Sequence, residues 1–461
     1  MSGRDGSSGV PRRAVLQAGL GVLAAAVMPR ALAGCGDDAT PMGAGDAGAA
    51  DVSAVDAGVV DAGDLDVGAV DAGAADVGPD ATDAGVDDSP FAPRTVPARP
   101  ALRSRIAEIG PLGEPDANGV RLPAGFTSRV VARTNQMVPG TSYRWHNFPD
   151  GGATYATEDG GWIYVSNSEI VFVGGVGALR FSAAGEVTSA YAILQRTNGN
   201  CAGGETPWGT WLSCEEVSRG LVYECDPYGE RTAVARPALG VFKHEAAAVD
   251  PMRGHVYLTE DEPDGRLYRF VPERLTPRGH PDLRAGALEV AVVDMMGGVT
   301  WRALPDPRWT GATPTRSQVA ESTAFRGGEG IWHHAGVIYF TTKGTNQVFA
   351  YDIASARLRV IYDARELTSP PLRGVDNLTV SCCGDVLVAE DGGSMQVVAI
   401  LPSGEAKPLV QVVGHTGSEV TGPAFDPSGT RLYFSSQRGV EGGSGAGFTF
   451  EVTGPFHAPA V

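Results

Sequence analysis

The 461-residue chain is 43 % hydrophobic and 20 % charged, with a formal net charge of −18 and six cysteines. Such an acidic balance excludes the basic face that nucleic-acid binding draws on. The charge is uneven: residues 1–35 carry +3 and residues 36–90 carry 14 Asp, which leaves −7 for residues 91–461.

Arg12-Arg13-Ala14-Val15-Leu16-Gln17 looks like a twin-arginine export motif, with Arg12 and Arg13 as its signal pair. The apolar stretch Ala18–Met28 is shorter than the roughly 20 residues of a membrane-spanning helix. Leu32-Ala33-Gly34-Cys35 then looks like a lipoprotein cleavage box. The expectation is a signal peptide over 1–35, lipidation of Cys35, and a protein anchored at the cell envelope (periplasmic or cell-surface) rather than spanning the membrane. An ordinary signal peptide with a chance cysteine is the alternative.

Residues 36–94 read as a disordered linker. Up to residue 90 they contain no aromatic residue, no Lys and no Arg, and Asp-Ala-Gly recurs at Asp46, Asp56, Asp61, Asp71 and Asp83. Such a segment cannot bury enough apolar surface to offset its chain entropy. As a flexible coil it would span roughly 40 Å. A calcium-binding repeat is disfavoured, because the spacing is irregular and no Asp-x-Asp-x-Asp-Gly loop occurs.

Residues 95–461 read as one all-β domain. Trp162–Val165, Gly254–Leu258, Val337–Phe340, Val386–Ala389 and Arg431–Phe434 are similar β-branched and aromatic runs after glycine-bearing turns. Ala178–Val187, Leu221–Glu230 and Val397–Ala406 read as hairpins. A weak repeat of about 45–60 residues built of such units predicts a β-propeller of about six blades, with a sandwich or β-helix as the alternative. Propeller loops converge on one channel, so residues far apart in sequence meet there.

Short acidic motifs recur about once per expected blade. They are Asn167-Ser168-Glu169, Cys201 with Glu215-Glu216, His244-Glu245, Glu260-Asp261-Glu262, Gly328-Glu329-Gly330, Asp376-Asn377 and Glu390-Asp391. Carboxylates that face one another repel unless cations neutralise them, so this spread suits a central polynuclear metal site. Cys201 lies between Asn200 and Ala202-Gly203-Gly204, where glycines allow close backbone approach. Setting Cys35 aside, five cysteines remain, so at least one is free or a ligand. A Cys201–Cys214 disulfide is the alternative to Cys201 as a ligand. His146, His244, His333-His334 and His415 show no zinc-type spacing.

The run from Asn200 to Glu216 resembles the signature of PhoX-type alkaline phosphatases. Lys243-His244-Glu245, the Glu329 segment and Ser418–Gly429 extend the resemblance over most of residues 98–461. It implies a six-bladed propeller that holds iron and calcium, with the Cys201 thiolate bridging two irons. By this resemblance Glu245 and Glu329 look like iron-ligand positions. Glu169, Glu215, Glu216, Glu262 and Asp376 are candidates for iron or calcium. The family's phosphate-gripping arginine sits two residues before the glutamate, where this chain has Gly327, with Arg326 one residue further away. Arg326 and Glu329 are the implied catalytic pair, with Arg373 as another candidate for the phosphoryl group.

The expected function is metal-dependent hydrolysis of small-molecule phosphate monoesters by a monomer, touching the membrane only through a lipid anchor. The alternatives are a calcium-dependent propeller hydrolase of the lactonase type and a non-catalytic surface propeller that binds a ligand.

Overall fold

The computed structural model describes residues 101–443 and 445–460. The Arg12-Arg13 motif, Cys35 and the expected linker lie outside them.

The described chain forms six antiparallel blades of four or five strands. The five similar runs singled out in the sequence are the second strands of blades one, three, four, five and six: Trp162–Ser168, Val256–Glu260, Val337–Thr342, Val386–Glu390 and Arg431–Ser436. Trp211–Glu215 is their counterpart in blade two. The three sequence hairpins begin on the third strands of blades one, two and five; in blades one and five they reach the returning strand, whereas in blade two that strand begins only at Val234.

Alternation explains why these strands are apolar on both sides. Successive side chains on a strand face opposite ways, and each blade is sandwiched between two others. Trp162 and Tyr164 pack towards blade six with Tyr433, while Ile163 and Val165 pack towards blade two with Trp211 and Cys225. Six apolar clusters result, one at each interface between neighbouring blades.

The ring closes between the ends of the domain. Thr127–Arg133, from its N-terminal part, is the outermost strand of blade six and pairs with Phe448–Thr453. Val120–Arg121 extends blade five, and Leu102–Ser104 pairs with His457–Pro459 in a small separate sheet.

The innermost strands are Pro149–Ala156, Asn200–Glu205, His244–Val249, Gly328–His334, Val375–Val380 and Val420–Phe425. They crowd the axis. A Cβ on Gly151 would lie 2.5 Å from the Cα of Ala202, and one on Gly330 would lie 2.3 Å from the backbone nitrogen of Leu378. Glycine is therefore required there by space.

Candidate metal centre

One backbone irregularity recurs at the same place in every blade. The pairing between first and second strands breaks between Pro149 and Gly152, Asn200 and Gly203, His244 and Ala247, Gly328 and Ile331, Val375 and Leu378, and Thr421 and Ala424. A bulge re-aims a side chain that would otherwise lie along the ladder. In blades one to five, the first residue inside the break is Asp150, Cys201, Glu245, Glu329 or Asp376. Blade six offers no acid inside its break, and Glu419 comes in from just before its strand instead.

A second set of positions follows the second strand of each blade directly. They hold Glu169, Glu216, Asp261, Lys343, Asp391 and Gln437 in blades one to six. The two sets interlock. Donor atoms lie within 4.8 Å of one another in the groups Asp150–Glu169–Cys201, Cys201–Glu216–Glu245, Glu245–Glu329–Asp376 and Asp376–Asp391–Glu419. Each group shares a member with the next, so the four form a continuous chain of donors.

Neighbouring polar groups hold the donors in place. Asn167 donates to the Cys201 and Ala202 carbonyls at 3.1 and 2.7 Å, which clamps the bulge of blade two. Its Oδ1 accepts from Trp211 and Ser213 in turn. Gln437 donates to both Asp150 and Glu169, and Asn377 donates to Asp376 at 2.9 Å. The Cys201 thiol donates to Glu245 Oε1 at 3.4 Å, while Glu245 Oε2 is buried without a hydrogen-bond partner.

The electrostatics are severe. Burial, and then the neighbouring carboxylates, push Asp150, Glu245, Glu419 and the Cys201 thiol well above their ordinary values. Burial also raises Glu329, with the Asp376 charge adding to it. Glu216 is pushed up to about 8 by burial and by Glu169, against the pull of Lys243. Asp376 is raised by burial even though Lys343 opposes it.

Three protein cations offset part of this charge. Lys243 lies 2.8 Å from Glu216 and 2.9 Å from Asp261. Arg438 pairs with Glu419 at 2.8 Å. Lys343 lies 3.0 Å from Glu329, 3.1 Å from Asp376 and 3.3 Å from Asp391. Burial alone would lower the two lysines, but their carboxylate partners raise both. Nine carboxylates and a thiol still face three cations.

Of the expected site residues, Glu169, Cys201, Glu216, Glu245, Glu329 and Asp376 come together. Glu215 does not. As the last residue of its strand it points opposite to Glu216, and it closes a turn by accepting from the Asn198 and Leu221 backbone amides at 2.9 and 3.0 Å. Glu262 lies outside the donor groups and pairs with Arg316 at 3.4 Å. Arg326 and Arg373 are exposed in the segments that enter the first strands of blades four and five. All five cysteines of the described residues are free, which excludes the Cys201–Cys214 disulfide. His244 is a core residue bonded to the Gly240 carbonyl and packed on Phe242.

Asp150 and Glu419 went unrecognised as candidates. Asp150 had a usable signal. Asp150-Gly151-Gly152, Cys201-Ala202-Gly203 and Glu245-Ala246-Ala247 share one pattern, a donor followed by two small residues.

Comparison with curated proteins finds no match. Among solved structures, the chain is similar to a structural genomics protein of unknown function from Bacteroides thetaiotaomicron (7 % identity, TM-score 0.46, 74 % of this chain and 83 % of that one). It is also similar to a gluconolactonase from Xanthomonas campestris (14 % identity, TM-score 0.39, 78 % and 99 %). A third similar structure is the calcium-binding protein regucalcin from Agrobacterium tumefaciens (14 % identity, TM-score 0.40, 73 % and 96 %). Residues 183–439, more than half of the sequence, match the profile described as alkaline phosphatase PhoX. The family whose signature the Asn200–Glu216 run resembles is thus also the one the chain matches along most of its blades, and this protein belongs to the PhoX family.

Proposed function

We propose that the chain is a metal-dependent phosphomonoesterase of the cell envelope. The observation that carries this reading is the repeated bulge, which aims a metal-binding donor at the axis from five separate blades. The donor set fits metal ions on two grounds. A buried carboxylate oxygen of Glu245 lacks a partner, and the protein's own cations are too few for the acids they face.

Asp150, Glu169, Cys201, Glu216 and Glu245 form the half that contains the thiolate, which suits iron. Asp376, Asp391 and Glu419 form an all-oxygen half, which suits calcium. Glu329 lies between the two halves, grouped with Glu245 and Asp376. Metal ions bound there would orient the ester oxygens and supply an oxygen nucleophile.

The chain's own residues bind and orient the ester. Arg326 and Arg373 enter from neighbouring blades, three residues before Glu329 and Asp376 respectively. Their exposed guanidinium groups are free to meet the dianionic phosphate and to stabilise the charge that builds on the transferring phosphoryl group. Lys343 holds Glu329 and Asp376 in place. A small phosphate ester is the substrate class, and a twin-arginine signal with a lipid on Cys35 would place the enzyme outside the cytoplasm.

The test is release of phosphate from an aryl phosphate by the metal-replete chain, with and without a chelator. Turnover that the chelator abolishes is expected. A metal-replete chain that hydrolyses no phosphate ester would end this reading.

A further inference from the structure

A second cluster of donors lies away from the acidic chain. Cys382 and Cys383 occupy the turn between the first two strands of blade five, and His457 begins the terminal strand His457–Pro459. Their Sγ atoms and one imidazole nitrogen lie within 4.8 Å of one another. The two sulfurs are 3.6 Å apart, and Cys383 also contacts the Leu102 carbonyl at 3.3 Å.

His457 supplies the independent observation. It is only 5 % exposed. One ring nitrogen, Nδ1, lies 2.7 Å from the Gly429 carbonyl and so carries the proton. Nε2 is therefore a bare lone pair, and it is buried without any partner. A neutral imidazole fixed in this way by a backbone carbonyl is the form in which histidine binds a metal. Cys382 and His457 both line a cavity of ≈ 70 Å³, together with Leu102, Ser381, Phe425 and Asp426.

The alternative for adjacent cysteines is a disulfide. Neighbouring Cα atoms stand about 3.8 Å apart across a trans peptide, closer than the roughly 4.4–6.8 Å that disulfides span. Two thiolates and an imidazole, by contrast, are donors of the kind zinc takes. None of the nine carboxylates of the central site takes part in this cluster.

We propose that Cys382, Cys383 and His457 form a separate binding site for one thiophilic metal ion of the zinc class. The ion would join the fifth-blade turn to the small terminal sheet in which Leu102 pairs with Pro459. It would thus pin both ends of the domain to one blade, next to the blade that closes the ring.

The experiment is alkylation of the folded full chain, read by mass spectrometry on the peptide 374–431. Trypsin releases this segment with Cys382 and Cys383 as its only cysteines. With free zinc at about 100 times its dissociation constant, alkylation is expected to slow about 100-fold. His457→Gln should remove the protection. Cys382→Ser, at an exposed position, should lower the zinc content by one ion while the fold and the central metals remain. Equal alkylation with and without zinc in the wild-type chain would overturn the proposal. So would a disulfide between the two cysteines in the protein as isolated, or unchanged zinc content in Cys382→Ser. None of these outcomes depends on phosphatase turnover.

Discussion

The Cys201 thiol donates to Glu245 across the interface between the second and third blades, at 3.4 Å. The two residues are 44 positions apart in sequence, yet each is the first residue inside its blade's bulge. Replacing Cys201 with Ser keeps a small polar group but removes the soft ligand. The variant is expected to lose iron and its visible absorbance while retaining calcium. Elemental analysis and an absorption spectrum check this, and unchanged iron content would refute the assignment.

Metal-free protein should become less stable as pH rises. Glu216 has a folded-state value of about 8 against an ordinary 4.5. A raised carboxyl contributes stability below the ordinary value, and that contribution disappears as pH climbs through the folded one. Glu245, Glu329 and Glu419 shift in the same direction. Thermal unfolding in chelator should therefore show a falling Tm between about pH 4.5 and pH 8. Metal-replete protein should lose much less across that window, because bound cations favour the ionised acids.

Lys343 stands where four other blades place an acid, at the position just after the second strand. Its ammonium neutralises part of the Glu329–Asp376–Asp391 group. Lys343→Met should raise the calcium affinity of that group by about tenfold or more. Isothermal titration with calcium reads this directly. An affinity that stays the same or falls would show that Lys343 does not compete with a cation.

Glu215 and Glu216 are sequence neighbours with different work. Glu215→Gln weakens two hydrogen bonds to backbone amides and should cost about 1–3 kcal/mol of stability with metal content intact. Glu216→Gln should lower metal content with a smaller effect on the apo fold. Chemical denaturation and elemental analysis of the two variants, side by side, separate these roles.

Gly330→Val should be among the most damaging single changes. Its Cβ would fall 2.3 Å from the Leu378 backbone nitrogen, and no flexible side chain can yield there. Moving the first strand of blade four also moves Glu329. Loss of soluble protein, or a stability loss of more than about 4 kcal/mol, is expected from denaturant titration.

Much of the propeller was legible because its signals are local. Trp162–Val165, Val386–Ala389 and their counterparts are short apolar runs after turns, and each is a strand whichever blade lies beside it. Half-legible was the metal centre. The Asn200–Glu216 run pointed to Cys201 and Glu216 by resemblance, and small residues after a donor mark the bulges. Glu215 and Glu262 were misplaced, because a run of acids at a strand end does not say which one faces the axis.

Sequence alone thus determined that the chain is all-β, that its blades repeat, and that its acids recur once per repeat. These properties follow from residue type and period, which need no partner from elsewhere in the chain. Tertiary structure decided which acids meet. Asp150 joins the donor chain through Cys201 of blade two and Glu419 joins it through Asp376 of blade five, and Lys343 enters it because blade four presents a lysine at the shared position. Convergence on an axis depends on long-range geometry, and no local pattern carries it.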